Sequence, residues 1–157
     1  MNIAIITGAS SGLGSEFARQ LDKALGHTDE IWLLARRKQT LEALSLTMKN
    51  KTRAIAIDLT DEKALRQFEE VLAIQNPNIT VLVNCAGIGS HGTFCRQSRE
   101  DIDAMVQLNI VALTAMTKIC LPYMRKGSKI IQFSSGAAFV PQAAFAVYAA
   151  SKAYVYS

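Results

Sequence analysis

The chain has 157 residues, of which 50% are hydrophobic and 19% charged, enough for one domain with a buried core. Its formal net charge of +4 comes from scattered basic residues, with one tight cluster at 36–38, so a nucleic-acid-binding face is not expected. The apolar run of four residues near the N-terminus is too short for the core of a signal peptide, and no uncharged apolar run reaches the length of a transmembrane helix. The composition therefore predicts a single domain over residues 1–157, with neither a nucleic acid nor a membrane as its partner.

The cysteines and histidines are spaced too irregularly for a metal site. Cys85, Cys95 and Cys120 form no CxxC pair, a pattern that is typical of reduced thiols and predicts a cytoplasmic location. His27 and His91 have no histidine or cysteine at ligand spacing, and we interpret both as solvent-facing loop residues. No metal ligand is predicted.

Short apolar runs alternate with longer segments of helical periodicity along the chain. The strand candidates are residues 2–6, 31–35, 53–58, 79–84 and 129–135. The helix candidates are residues 13–25, 39–49, 61–72, 98–124 and 147–157, and Thr60 is the predicted cap of the third. Continuous apolar strands that alternate with helices predict a parallel sheet covered on both faces. With right-handed crossovers this is an α/β, doubly wound, Rossmann-type fold.

A glycine-rich turn, "TGASSGLG", lies between the first strand and the first helix at residues 7–14. Glycines at this point let the backbone approach a pyrophosphate, and the N-terminus of the helix offers unpaired N–H groups to the phosphates. A purely structural turn is the alternative, but the position between strand and helix favours a nucleotide site. The candidate cofactor-binding residues here are Gly8, Ser10, Ser11, Gly12, Leu13 and Gly14.

The end of the second strand predicts which dinucleotide is preferred. An acidic residue there would accept hydrogen bonds from the ribose hydroxyls of NAD, whereas an arginine would pair with the 2′-phosphate of NADP. The sequence reads "LLARRKQ" and carries Arg36 and Arg37 with no acid. A solvated basic turn is the alternative, and the functional interpretation is NADP(H) in preference to NAD(H).

A second group of residues has the chemistry of proton transfer. Tyr148 and Lys152 are four residues apart and share one face of a helix, where an ammonium favours the phenolate form of a nearby phenol. Such a phenol can exchange a proton with an alcohol or carbonyl oxygen. Ser135 follows the fifth strand, at the sheet edge where ligands bind in such folds. A tyrosine–lysine pair alone is more often a surface pair.

Together these motifs resemble the short-chain dehydrogenase/reductase family. The resemblance runs from "TGASSGLG" to "YAASK" and includes "NCAG" at 84–87, "LNIVA" at 108–112 and "IIQFSSGAA" at 130–138. It implies hydride transfer between NAD(P) and a carbonyl or alcohol carbon of a small-molecule substrate. Cys85 stands where the family has asparagine, and we interpret it as a small buried side chain.

The resemblance also implies roles for individual residues. Tyr148 would be the general acid/base, Ser135 would orient the substrate oxygen, and Asn109 would hold a water in the proton relay to Lys152. Lys152 would bind the nicotinamide ribose. The spacing to Tyr148 favours Ser135 over its neighbour Ser134. The other implied cofactor-binding residues are Asp58, which would hold the adenine, Leu59, Asn84, Ala86 and Gly87.

The chain stops just after the tyrosine–lysine motif, where family members usually continue for roughly another hundred residues. We therefore expect a C-terminally incomplete fold with an exposed fifth strand. Three interpretations stay open: the N-terminal part of an active reductase, a catalytically inactive dinucleotide-binding module, and an inert gene remnant. A homo-oligomer is compatible with a longer parent. The apolar segment 136–147 favours a hydrophobic carbonyl compound as substrate.

Overall fold

The computed structural model describes residues 1–26, 28–140 and 142–157 as one layered α/β domain, so the predicted role of His27 lies outside the described residues. A five-stranded parallel sheet has the order β3-β2-β1-β4-β5. The strands are β1 (Asn2–Thr7), β2 (Glu30–Ala35), β3 (Thr52–Ala56), β4 (Asn78–Asn84) and β5 (Met124–Gln132). The helices are α1 (Gly12–Ala24), α2 (Lys38–Ser45), α3 (Glu62–Gln75), α4 (Arg99–Val106), α5 (Leu113–Cys120) and α6 (Ala146–Tyr156). The predicted doubly wound fold is confirmed.

Alternating residues of the central strands feed two separate apolar cores. In β1, Ile3 and Ile5 face the core completed by α3 and α5, whereas Ala4 and Ile6 face the core completed by α1 and α2. Successive side chains of a strand point to opposite faces, so an uninterrupted apolar run suits a strand that is buried on both sides. β2 is buried along its whole length for the same reason.

The helix predicted over 98–124 is continuous but changes its winding at its centre. Ser98 caps α4 by accepting a hydrogen bond from the backbone N–H of Asp101 at 3.0 Å, as its position predicts. Residues Gln107–Ala112 then form a π-helical segment between α4 and α5. Such segments are rare and often mark functional sites. This one contains Asn109.

The continuous helix Arg99–Tyr123 is long and apolar enough to cross a membrane by length and composition alone, with a mean hydropathy of 1.6. Charged residues, among them Lys118, interrupt this segment, so it contains no uncharged run of transmembrane length. Ala112, Met116 and Cys120 on this helix join the core against the sheet. A core helix meets the same two criteria, so this helix is weak support for a membrane location.

The fifth strand forms one edge of the sheet and carries a kink. Its register against β4 shifts between Met124, which pairs with Ile79, and Lys129, which pairs with Val81. Gly127 lies inside this kink with a φ of +96°, a conformation that favours glycine. Much of the strand is exposed, as expected of an edge.

Several predicted boundaries are wrong by a few residues, each for a local reason. Asp61, not Thr60, caps α3, because its carboxylate accepts the backbone N–H of Lys63 at 2.8 Å. α2 ends at Ser45, since the backbone N–H groups of Thr47 and Met48 donate to carbonyls only three residues earlier, in tight turns. β3 ends at Ala56 and β5 at Gln132, each two or three residues before the predicted end.

Candidate active site

The carboxyl ends of the strands open into a cavity of about 980 Å³. Parallel sheets bind ligands at this edge, where the strand order reverses between β1 and β4. All the predicted cofactor-binding residues except Asn84 line the cavity: Gly8, Ser10, Ser11, Gly12, Leu13, Gly14, Arg36, Arg37, Asp58, Leu59, Ala86, Gly87, Tyr148 and Lys152. The fold therefore brings both ends of the sequence pattern to one place.

The glycine-rich turn is packed too closely for side chains at two of its glycines. A Cβ on Gly8 would lie 2.8 Å from the Cα of Ala86, and Gly8 also has a φ of +69°. A Cβ on Gly14 would overlap the carbonyl oxygen of Gly8. These contacts leave no room for a side chain at Gly8 or Gly14, so the backbone of the turn packs closely at both positions, with the N-terminus of α1 directly behind it.

Thr7 ties this turn to the loop that follows β4. The buried hydroxyl oxygen of Thr7 accepts the backbone N–H groups of Cys85 and Ala86, both at 3.1 Å. One threonine therefore satisfies two backbone donors at the point where the neighbouring strands separate. It fixes Ala86 against Gly8 and so sets the floor of the cavity.

Basic side chains occupy the cavity wall at the end of β2. The guanidinium of Arg37 donates to the hydroxyl of Ser10 at 3.2 Å, which joins the end of β2 to the glycine-rich turn. The carboxylate of Asp58 accepts the hydroxyl of Thr60 at 2.7 Å and its backbone N–H at 2.9 Å. These two bonds, with the charge of Arg36, hold the pKa of Asp58 below its ordinary range.

Lys152 and Tyr148 approach the cavity from α6. The ammonium of Lys152 donates to the backbone carbonyl of Phe133 at 2.8 Å and lies 5.8 Å from the centre of the Tyr148 ring. Only 7% of Lys152 is exposed, and this burial lowers the pKa of its ammonium. Burial also raises the pKa of the half-buried Cys85 thiol, against the opposing charge of Lys152. Cys85 is thus held in its neutral form.

Asn109 makes a buried hydrogen-bond network instead of lining the cavity. Its side-chain oxygen accepts the backbone N–H of Ile88 at 2.9 Å, and its amide donates to the carbonyl of Ile88 at 2.8 Å. The same amide donates to the hydroxyl of Ser151 at 3.0 Å, and that hydroxyl donates to the carbonyl of Tyr148 at 2.7 Å. Asn109 therefore links the loop after β4 to the backbone of α6.

A family model described as short chain dehydrogenase matches residues 2–157. The chain belongs to the short-chain dehydrogenase family. The resemblance inferred from the motifs is confirmed.

Individual relatives agree with this assignment. The chain is 31% identical to the very-long-chain 3-oxoacyl-CoA reductase of Homo sapiens over 97% of its own length and 50% of that protein. It matches the structure of a short-chain dehydrogenase from Sphingobium yanoikuyae in complex with NADPH, with a TM-score of 0.86 and 32% identity, over 99% of this chain and 62% of that one.

It also matches the bulky-bulky ketone specific alcohol dehydrogenase from Comamonas testosteroni, with a TM-score of 0.85 and 32% identity, over 99% of this chain and 63% of that one. The chain spans about half the length of the human reductase.

Three residues assigned from the family resemblance lie outside the cavity lining. Asn84 is buried and donates its amide to the hydroxyl of Thr117 at 2.9 Å, on the side of α5. Asn109 is fully buried in the network described above. The hydroxyl oxygen of Ser135 accepts the backbone N–H of Ala137 at 3.2 Å in a short turn, whereas its neighbour Ser134 lines the cavity. The catalytic roles of Asn109 and Ser135 stay predictions.

Residues that the motif pattern did not single out complete the short-chain dehydrogenase site. Thr7 and Ser151 act through backbone groups, and both lie inside motifs, directly before Gly8 and directly before Lys152. The hydroxyl of Ser134 donates to the carbonyl of Lys152 at 2.7 Å, so it anchors α6 to the end of β5. The positions of Thr7 and Ser151 within the motifs could have indicated their importance from the sequence. Their hydrogen bonds could not be predicted, because they depend on the fold.

Proposed function

We propose that this chain is the cofactor-binding part of an NADP(H)-dependent oxidoreductase that interconverts a carbonyl compound and an alcohol. The observation that carries the proposal is that the glycine-rich turn at the N-terminus of α1 lines the same cavity as Tyr148 and Lys152. Bound NADPH supplies a hydride to the carbonyl carbon, and NADP⁺ accepts one in the reverse direction.

The residues present fit such a cofactor. Glycine at positions 8 and 14 lets the turn pack closely against the backbone of Ala86 and against itself, and this tight turn places the N-terminus of α1 at the cavity, where a pyrophosphate would bind. Gly87 also lines the cavity, and a Cβ there would lie 3.2 Å from the side-chain oxygen of Asn109 and 3.4 Å from the ammonium of Lys152. The cavity of about 980 Å³ is large enough for a dinucleotide-sized ligand.

Tyr148 is the proposed proton donor and acceptor. In the reductive direction its phenol gives a proton to the carbonyl oxygen as the carbon receives the hydride, so that the product is a neutral alcohol. The ammonium of Lys152 beside the ring stabilises the phenolate that remains. Ser135 and Asn109 keep the roles that family membership suggests, orienting the substrate oxygen and supporting the relay.

The preference for NADP(H) rests on the charge at the end of β2. Arg36 and Arg37 line the cavity there, and Arg37 contacts Ser10 of the phosphate-binding turn. An arginine is suited to a 2′-phosphate because its guanidinium offers several donors in a fixed plane. The NADPH complex of the Sphingobium relative supports the same choice.

The proposed substrate is a carbonyl compound with a bulky apolar group. Ile88, Leu108 and Phe145 contribute apolar surface to the cavity near Tyr148. The names of two relatives, the very-long-chain 3-oxoacyl-CoA reductase and the bulky-bulky ketone specific alcohol dehydrogenase, point in the same direction. We further propose a cytoplasmic enzyme whose full-length form is a homo-oligomer.

Fluorescence titration with NADPH and NADH tests the cofactor assignment. We expect NADPH to bind at least tenfold more tightly, and the Arg36→Ala/Arg37→Ala variant to lose most of that difference. Lys38→Ala is the matched control. Lys38 is an exposed basic residue next to the two arginines, and its ammonium lies 3.7 Å from the carboxylate of Glu42. Comparable affinities for the two cofactors would refute the preference.

Turnover is tested in a full-length form of the protein. Tyr148→Phe should abolish carbonyl reduction while NADPH binding is retained, since only the acidic hydroxyl is removed. Full activity of that variant would refute the role of Tyr148. NADPH binding without turnover of any carbonyl compound would favour the second candidate, a dinucleotide-binding module.

A further inference from the structure

We infer that Gly89 is a positioning residue for Tyr148, because the tyrosine ring lies against the position that a Cβ on residue 89 would occupy. A Cβ on Gly89 would lie 3.1 Å from Cδ2, 3.3 Å from Cε2 and 3.7 Å from Cγ of Tyr148. The first two distances are shorter than ordinary contacts between carbon atoms. This inference rests on the proposed function only for its catalytic consequence.

The conformation of Gly89 does not itself require glycine. The glycines with positive φ are Gly8, Gly12, Gly92 and Gly127 among the described residues, so Gly89 has a backbone that alanine can adopt. It is also exposed, so no other packing demand explains the absence of a side chain. The contact with Tyr148 is therefore the feature of this position that a methyl group would disturb.

The backbone on either side of Gly89 is held in place and cannot easily move away. On one side, Ile88 exchanges two hydrogen bonds with the buried side chain of Asn109, at 2.8 and 2.9 Å. On the other, the carbonyl of Ser90 accepts the side-chain amide of Gln97 at 2.8 Å. The N–H of Gly92 donates to the carbonyl of Ala144 at 2.9 Å. A side chain at position 89 would therefore displace the Tyr148 ring more readily than the backbone of residue 89.

The backbone of Tyr148 is equally fixed. Its carbonyl accepts the hydroxyl of Ser151, which is fully buried and in turn accepts the amide of Asn109. Asn109 thus anchors both the loop that carries Gly89 and the helix that carries Tyr148. With both backbones fixed, the rotatable bonds of the Tyr148 side chain are the freedom that remains. A methyl group at position 89 would turn the ring and move the phenol oxygen away from the substrate.

Nuclear magnetic resonance of the chain with ¹³C-labelled tyrosine tests this positioning without any substrate. Tyr148 packs against Phe145, with ring centres 5.7 Å apart, so rotation of the Tyr148 ring changes its ring-current shift. The Tyr148 signal is assigned as the one that is absent from the spectrum of Tyr148→Phe. In Gly89→Ala this signal should shift, while the signals of the other tyrosines stay unchanged. Gly26→Ala is the matched control, because a Cβ there meets nothing within 4 Å. An unchanged Tyr148 signal would overturn the inference.

A stability comparison covers the case in which Gly89→Ala folds poorly. If the methyl group clashes with the Tyr148 ring, Gly89→Ala should destabilise the wild-type chain and have little effect in a Tyr148→Ala background, where the ring is absent. Equal destabilisation in both backgrounds would place the clash elsewhere and overturn the inference.

In an active full-length form, Gly89→Ala should reduce kcat about tenfold and affect NADPH affinity less, since small displacements of a reacting group are costly. A reduction in NADPH affinity with unchanged kcat would contradict a role through Tyr148. If no carbonyl compound is turned over at all, the proposed function fails, while the resonance and stability results still decide the positioning of Tyr148.

Discussion

The two hydrogen bonds to Thr7 make this residue a sensitive test of how the cavity floor is built. Replacing Thr7 by valine keeps the shape of the side chain but removes the acceptor for the N–H groups of Cys85 and Ala86. Both donors lie in the loop that leaves β4, next to the close contact between Ala86 and Gly8. Thr7→Val should therefore weaken both the fold and the binding of NADPH.

The magnitude follows from the number of donors that lose a partner. A buried donor without an acceptor costs about 1–3 kcal/mol. Cys85 and Ala86 are half-buried and gain some compensation from water, so the lower end of that range applies to each. The expected loss is about 2 kcal/mol of unfolding free energy, or roughly 4–8 °C in Tm for a chain of this length.

Urea unfolding and NADPH titration measure the two effects on the same samples. Thr80→Val is the matched control, because the hydroxyl of Thr80 makes one hydrogen bond, to the carbonyl of Ile3 at 3.0 Å, towards the other end of β4. It should cost about 1 kcal/mol and leave NADPH affinity unchanged. Thr7→Ser keeps the acceptor and should restore both properties. If Thr7→Val matches Thr80→Val in both assays, the two hydrogen bonds to Thr7 do not hold the cavity floor in place.

Two further predictions concern stability away from the site. Asp22→Asn should cost about 1–2 kcal/mol at neutral pH, because Asp22 accepts the backbone N–H groups of Lys49 and Asn50, each at 2.8 Å. Burial acts to raise the pKa of Asp22, but these hydrogen bonds outweigh it and lower the pKa below 3.8. In urea titrations, the difference in unfolding free energy between Asp22→Asn and the wild type should therefore persist above about pH 3.8 and shrink below it. Asp61→Ala should cost about 1 kcal/mol as a lost helix cap; a larger loss in Thr60→Ala would contradict that assignment.

The central part of the fold could be predicted because the apolar runs are long and unambiguous. β1, β2 and β4 lie within one or two residues of their predicted limits, since a strand buried on both faces needs a continuous apolar run. The start of β5 could not be predicted in this way. Residues 124–128 read "MRKGS", and they belong to the strand through pairing of Met124 with Ile79, which is a tertiary contact.

The site shows the same division between local and tertiary information. The glycine-rich turn and the tyrosine–lysine pair carry their chemistry in their spacing, and the cavity brings them together. The π-helical segment around Asn109 has no local signal in "QLNIVA", because its geometry accompanies hydrogen bonds to a loop about twenty residues earlier in the chain. The role of Gly89 could not be predicted from the sequence either, because it depends on the tertiary contact with the Tyr148 ring.

The kinked edge strand β5 also affects how copies of this chain meet one another in solution. Arg125, Lys126 and Lys129 are exposed on it, and the bend at Gly127 interrupts the flat row of backbone groups that another strand would need. Two such edges approaching each other would bring like charges together. Salt weakens that repulsion, because the screening length falls to about 3 Å at 1 M ionic strength. The repulsion between two such edges is therefore electrostatic, and it is strongest in dilute buffer.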